Sequence, residues 1–343
     1  MLRKKLVLLS LILIVAATTL MAGCGTDKKP APIKPGKLVI YSAVNEEYML
    51  KIASEFEKDT GIKVETLRLS AGEMVARIRA EKNSPQATIL YGGSADGYIQ
   101  AKDEGLLEKY ISPQASAIPS TMKDPAGYWT GIYIGYIGFV SNKKMLEGKG
   151  VSVPTSWDDL LRPDLKGQVA LANPGTAGAA YTMLATLVQI KGEEAALQYM
   201  KKLHMQVKEY QKSAVTAAQM AGKGEATVGV AFLQDGIRFQ EQGMTDIVIS
   251  TPKEGTGYEI GAVGIVKDGS DQVAARKFID WALSKKAQEI GQSVGSYQFP
   301  TLPEAKSPAA AESIRNTKLI VYDFGWAGKN RKGLVDKWNE LIK

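Results

Sequence analysis

The chain has one cysteine and one histidine among its 343 residues. A disulfide framework needs paired cysteines and zinc sites need several Cys or His ligands, so both are excluded. There is no Walker A sequence and no HExxH, and no internal repeat. Gly291-Gln-Ser-Val-Gly295 has the outline of a nucleophile elbow. That motif requires a preceding strand and a later histidine, whereas a helical pattern precedes Ser293 and His204 lies upstream. The run from Gly255 to Gly261 has one residue too many for a dinucleotide loop and no helical pattern behind it. Excess charge is also scarce on the folded part. There are 43 basic and 36 acidic residues, a net +7. Residues 1–23 carry +3, residues 24–37 another +3, and 38–343 only +1. A nucleic-acid binder needs its basic excess on the folded surface, so the pI of 9.1 does not point to one. Apolar content of 45% with 34 Gly and 14 Pro excludes disorder, collagen and coiled coil.

What is present begins with an address. Arg3-Lys4-Lys5 precedes an apolar run from Leu6 to Ala17, and smaller residues continue to Gly23, which is the layout of a signal peptide over 1–23. The uncharged stretch Leu6 to Thr26 is also long enough for a membrane anchor. Cleavage is favoured by Cys24, directly behind Ala22-Gly23, because this arrangement resembles a bacterial lipobox, in which the Cys becomes a diacylglycerol-modified N-terminus. Met21 departs from the Leu usual in that motif. Residues 24–37 are rich in Pro and Lys without apolar periodicity, and read as a lipidated Cys with a flexible tether. Acyl chains contribute about 0.8 kcal/mol per buried CH₂, so two or three hold a protein on a bilayer. The folded part is therefore expected outside the cytoplasm, where ATP- or NAD-dependent chemistry is disfavoured.

The folded part alternates strands and helices. Leu38 to Tyr41 is a strand pattern, and Glu46 to Asp59 has Tyr48, Met49, Ile52, Ala53 and Phe56 at helical spacing before a Gly61 C-cap. Ile62 to Leu69 alternates as a strand. Ser70 and Glu73 form a capping box for a helix to about Glu81. Ala87 to Tyr91 is a further strand, and Gly92-Gly93-Ser94 opens a helix. A glycine-punctuated β stretch follows over 129–140. A second α/β unit begins with an N-cap and helix near Val153 to Leu160. It continues with a strand over 169–172, a helix to about Ile190, and elements at 193–203, 214–222, 227–232 and 235–242. Gly257 to Val266 is another extended stretch, and Asp271 to Gln292 reads as one long helix. Such alternation is the signature of α/β units around mostly parallel sheets. The two extended stretches suggest a chain that crosses between lobes and returns.

Four small-residue loops each open a helix: Ser70-Ala71-Gly72, Gly92-Gly93-Ser94, Gly175-Thr176-Ala177-Gly178, and Ser213. Helix N-termini present unpaired N–H groups and about half a positive charge, and small residues let an anion approach them. Singly, each is an ordinary N-cap. Together, with two in each α/β unit, they are expected to meet on one cleft. Asp235 and Glu259 are placed to bind hydroxyl or ammonium groups. His204 reads as a dipole partner at a helix C-terminus, and Trp281 as helical packing with Phe278 and Ala282.

Residues 38–310 resemble bacterial ABC-transporter solute-binding proteins of the type II periplasmic-binding fold. The group is the one of ferric-iron, thiamine, phosphonate and hexose-phosphate binders. The likeness is carried by Leu-Val-Ile-Tyr-Ser-Ala at the first strand, by the runs at 70–81 and 172–182, and by Glu-Gly-Thr-Gly-Tyr-Glu-Ile-Gly at 254–261. The resemblance implies two lobes closing on a ligand, and a permease with its ATPase as partner. Iron-binding members use a His in the first loop and adjacent tyrosines, where this chain has Asn45 and Phe232-Leu233. Sugar-phosphate binders have a His-Asp pair where Gln234-Asp235 stands, and a Glu at Glu259.

The expectation is an α/β protein of two lobes, each a mostly parallel sheet flanked by helices, joined by two crossing strands. Lobe 1 spans 38–137 plus 262–343 and lobe 2 spans 138–261. The protein is expected to be a monomeric lipoprotein capturing a small phosphorylated or phosphonate-type anion for an ABC importer, without cofactor, metal or nucleic acid. The expected ligand residues are Asn45, Ser70, Gly72, Gly93, Ser94, Thr176, Gly178, Ser213, Asp235 and Glu259. Ferric iron, an iron chelate or thiamine (phosphate) is the alternative cargo, and an extracytoplasmic enzyme on the same fold is the alternative class.

Overall fold

The computed structural model describes residues 37–342. The expected signal peptide, Cys24 and the expected tether lie outside them, except Lys37. Eleven strands are present: β1 Lys37–Ser42, β2 Lys63–Arg68, β3 Ile89–Ser94, β4 Leu107–Glu108, β5 Thr130–Asn142, β6 Val169–Ala172, β7 Val207–Gln211, β8 Val228–Phe232, β9 Ile247–Ser250, β10 Tyr258–Val266 and β11 Phe299–Pro300. The α-helices are α1 Glu46–Thr60, α2 Ala71–Ala80, α3 Ala95–Asp103, α4 Lys143–Gly148, α5 Gly178–Lys191, α6 Glu193–His204, α7 Ala214–Gly222, α8 Leu233–Glu241, α9 Gln272–Ala282, α10 Lys285–Glu289 and α11 Phe324–Leu341.

Two parallel cores result. In the first, β1 pairs with β2 and β3; in the second, β6 pairs with β7 and β8. The hydrogen-bonded order is β2-β1-β3-β10-β5-β8-β6-β7. Strand β5 joins the halves. Its Thr130 to Tyr136 segment pairs antiparallel with β10, and Ile137 to Ser141 pairs antiparallel with β8. The return crossing runs into β10, with the Ile137 N–H bonded to the Gly257 carbonyl at 3.2 Å.

Each lobe has its own core. Leu38, Ile40, Phe56, Ile89, Tyr91 and Phe278 anchor the first, with the Phe56 and Phe278 rings edge-on at 5.0 Å. Phe139, Trp157, Leu184 and Val228 anchor the second. Fully burying one such side chain stabilises by about 1.5–3 kcal/mol.

Local differences from the sequence reading have identifiable causes. The pattern from Asp271 to Gln292 is broken at Leu283, because Ser284 caps a new helix by accepting the Ala287 N–H at 3.3 Å. The unit near Val153 opens with a 3₁₀ helix, Trp157–Leu161, rather than an α-helix. Helix α11 carries three glycines that obscure its pattern. It shares the second lobe's hydrophobic cluster through Ala327, Leu334 and Trp338, although 262–343 was expected to belong to the first lobe. Ser293 sits in a 3₁₀ turn and donates to the Ile290 carbonyl at 2.8 Å, unlike an elbow nucleophile.

Candidate functional site

The parallel strands end, in both lobes, on the same opening. Residues 43–45 follow β1, Arg68 and Ser70 end or follow β2, Gly93 lies late in β3, Ala177 follows β6, Ser213 follows β7 and Gln234 follows β8. Members of all these segments line one cavity of about 660 Å³. Ligands in open α/β sheets bind at the carboxyl ends of the strands, where helices begin.

The expected residues Asn45, Ser70, Gly93, Gly178, Ser213, Asp235 and Glu259 line this cavity. Three others do not, and in each case the polar group is engaged or turned elsewhere. The Gly72 amide donates to the Thr176 carbonyl at 3.3 Å, so these two residues join the lobes instead of facing the cavity. Thr176 Oγ1 donates to the Lys212 carbonyl at 2.9 Å. Ser94 caps α3 from a buried position, with its hydroxyl unpaired. Gly93 reaches the cavity, yet its N–H donates to Tyr133 Oη at 3.1 Å.

Part of the cavity lining is made of helix starts. Ser70 caps α2, with its N–H and hydroxyl donating to Glu73 Oε2 at 3.0 and 2.7 Å. Those hydrogen bonds hold the Glu73 carboxyl below its ordinary range. Ala177 and Gly178 open α5, and Ser213 opens α7 without spending its side chain on the cap. The first N–H groups of each helix have no partner inside it, and Ala71, Gly178, Ala179 and Ala214 leave them approachable. Arg68 adds a formal positive charge at this opening. It was not among the expected residues, since a charged residue closing a strand is indistinguishable in sequence from a solvated one.

The lining also carries carboxylates. Glu259 is 4% exposed and stands opposite Gly135 in the β10–β5 register. Gly135 is required here: a Cβ on it would strike the Gln234 amide, which lies across the strand. Gln234 Nε2 donates to Glu259 Oε1 at 3.3 Å, and the Gln234 carbonyl oxygen is buried without a partner. Burial, the nearby Asp235 and then Asp96 push the Glu259 carboxyl well above its ordinary range. Burial also raises Asp235 to about 6, against the opposing charges of Arg238 and Arg68.

The glycine pair at the end of β3 is held by two tyrosines. Gly92 and Gly93 are both left-handed, with φ of 77° and 80°. Tyr98 Oη donates to the Gly92 carbonyl at 2.9 Å, and Tyr133 Oη accepts from Gly93. Tyr133 and Gln298 line the cavity and were also missed in sequence. The cue was Gly261, whose missing Cβ makes room for the Tyr133 ring. His204 lies apart from the cavity, stacked on Tyr210 with ring planes 6° apart. Among the described residues, no group of three or more His, Cys, Asp or Glu is placed to hold a metal ion, and no helix is long and apolar enough to cross a membrane.

The cavity thus offers partners both for a negatively charged group and for hydrogen-bonding groups. An uncharacterized protein of Haemophilus influenzae is 36% identical over 96% of this chain and 97% of its own. A putative 2-aminoethylphosphonate-binding periplasmic protein of Salmonella typhimurium is 28% identical over 68% of each chain. The periplasmic binding protein AfuA of Actinobacillus pleuropneumoniae, solved with exogenous fructose-6-phosphate bound, superposes with a TM-score of 0.87. It is 39% identical, covering 90% of this chain and 99% of that one. The family profile matching residues 88–324 is that of the bacterial extracellular solute-binding proteins, and the chain belongs to that family.

Proposed function

We propose that the protein is the substrate-binding component of an ABC importer whose cleft captures a small phosphorylated or phosphonate-type organic anion. In this reading Ser70, Gly178 and Ser213, with Arg68, surround the anionic group. Asn45, Gln234, Asp235 and Glu259 orient the remainder, and the ligand is released unchanged to a membrane permease driven by an ATPase. The observation that carries the reading is the convergence of helix N-termini from both lobes, with Arg68, on one cavity that also holds Gln234, Asp235 and Glu259. Helix starts and a guanidinium stabilise a phosphate through direct N–H donation and charge. Glu259 beside Gln234 offers hydrogen-bonding partners for hydroxyl groups. The fructose-6-phosphate in AfuA supports a sugar phosphate as the first ligand to try.

The lobe boundaries in this proposal fall at 137/138 and 261/262, where β5 changes sheets and the return strand enters the first, with α11 lying across both lobes. Ligand binding favours the closed arrangement, and the crossing strands are the hinge. Cys24 anchors the protein to the membrane through its lipid.

Isothermal titration and thermal-shift measurements with fructose 6-phosphate, 2-aminoethylphosphonate, inorganic phosphate and ferric citrate test the ligand class. Submillimolar binding of a phosphorylated or phosphonate compound, with a raised melting temperature, is expected. A response to ferric citrate with none to the organic anions would replace this reading with iron capture.

A further inference from the structure

Helix α11 meets the two lobes by different chemistry. On the second lobe its contact is largely apolar, through Ala327, Leu334 and Trp338, with Tyr181 Oη bonded to the Ala327 carbonyl. On the first lobe it crosses α3 at Gly328. A Cβ there would lie 2.9 Å from Ile99 Cγ2 and 3.0 Å from the Asp96 carbonyl oxygen. One turn on, Arg331 Nη1 donates to Asp96 Oδ2 at 2.8 Å, with the two side chains 8% and 1% exposed. The Arg331 guanidinium carbon also stands 4.2 Å from the centre of the Tyr181 ring in α5. Asp96 of the first lobe, Arg331 of α11 and Tyr181 of the second lobe therefore form one buried stack. It lies beside the closing contact of the cleft, since Gly72, Gly175 and Arg331 border a common cavity. Neither Asp96 nor Arg331 lines the ligand cavity.

We propose that Asp96 and Arg331 are positioning residues that hold the lobes closed over the ligand, with α11 as the strap. In this proposal α11 moves with the second lobe, so the Asp96–Arg331 pair parts when the lobes separate, together with the close crossing of α3 at Gly328. Such a pair suits a reversible latch. Burying both charges costs hydration that their attraction roughly offsets, so opening, which returns both to water, carries only a modest penalty. Cation–π contact with Tyr181, made on the second-lobe side, keeps the guanidinium aimed at Asp96.

The test uses the full chain and the double variant Asp96→Asn/Arg331→Met, which removes both charges together and strands neither. Three quantities are read: melting temperature, fructose 6-phosphate affinity by titration, and hydrogen exchange at the Gly72 amide, which bonds across the lobes. The double variant is expected to melt within a few degrees of the natural protein, to bind at least tenfold more weakly, and to lose Gly72 protection. Unchanged affinity and unchanged Gly72 protection in a folded variant would overturn the latch. The affinity arm rests on the proposed ligand class. If fructose 6-phosphate does not bind the natural protein, that class is what fails, and the latch is judged on Gly72 exchange without ligand. Should the double variant not fold, Arg331→Lys keeps the charge but not the planar stack; the same readouts then decide, with weaker binding and faster Gly72 exchange expected.

Discussion

The Gly72 amide and the Thr176 carbonyl form a hydrogen bond of 3.3 Å that ties the start of α2 in the first lobe to the loop before α5 in the second. The approach is close because Gly72 has no side chain. A Cβ there would fall against the Gly175 carbonyl oxygen and 3.2 Å from the Thr176 Cα.

Gly72→Val is therefore expected to prop the cleft open while leaving each lobe folded. Ligand affinity should drop at least tenfold, about 1.4 kcal/mol, with the unliganded melting temperature within a few degrees of the natural protein. Calorimetric titration alongside a thermal scan checks the pair of outcomes. Equal loss of stability and affinity would point to a folding defect instead.

Arg68 is the formal cation in the cavity lining. A hydrogen bond to a charged group contributes about 1.5–3 kcal/mol, so Arg68→Gln should weaken binding of a phosphorylated ligand roughly 10- to 150-fold. It should also flatten the dependence of affinity on salt. Titrations at two ionic strengths read both effects.

Asp235 predicts a pH dependence whose sign follows from its burial. Its folded value is raised from the ordinary 3.8 to about 6. The stability it contributes is fully present below pH ~4 and is lost as pH rises through ~6, by no more than about 3 kcal/mol. Arg238 and Arg68 face it with positive charge, and Glu259 is the neighbouring carboxyl, itself pushed upward by burial and by Asp235. Asp235→Asn should consequently melt higher than the natural protein at pH 7.5 and equally near pH 4. Unliganded melting curves across that range check it, and a variant that is less stable at pH 7.5 would refute the assignment.

For the leader, Cys24→Ser is expected to abolish incorporation of labelled palmitate and to release the protein from the membrane fraction. Retention of the label in the variant would exclude Cys24 as the acylated residue.

Much of the architecture was legible because local chemistry and tertiary packing agree. The Gly61 C-cap and the Ser70–Glu73 box mark real helix ends. The apolar positions of α1 face the first core. The site was legible only in part. A cap residue announces where a helix begins but not which way its remaining donors point. Ser70 and Ser213 therefore reach the cavity, while Ser94 turns into the interior and Thr176 bonds to the neighbouring loop. Arg68, Tyr133 and Gln298 carry no local signal, since their contribution depends on strands distant in sequence arriving beside them. Helix α11 escaped notice because Gly325, Gly328 and Gly333 weaken its helical pattern. At least one of them, Gly328, is there for the close crossing with α3.

Strand β5 is 13 residues of uninterrupted extended chain that belongs to both sheets. Side chains alternate along a strand with a period of two, so adding or deleting one residue between Tyr136 and Ile137 would reverse which groups of the distal segment point inward. The surrounding surface loops are free to lengthen or shorten over evolutionary time, whereas this span is locked in parity. Indels tolerated elsewhere in the chain should be rejected here in steps of one and survive, if anywhere, in steps of two.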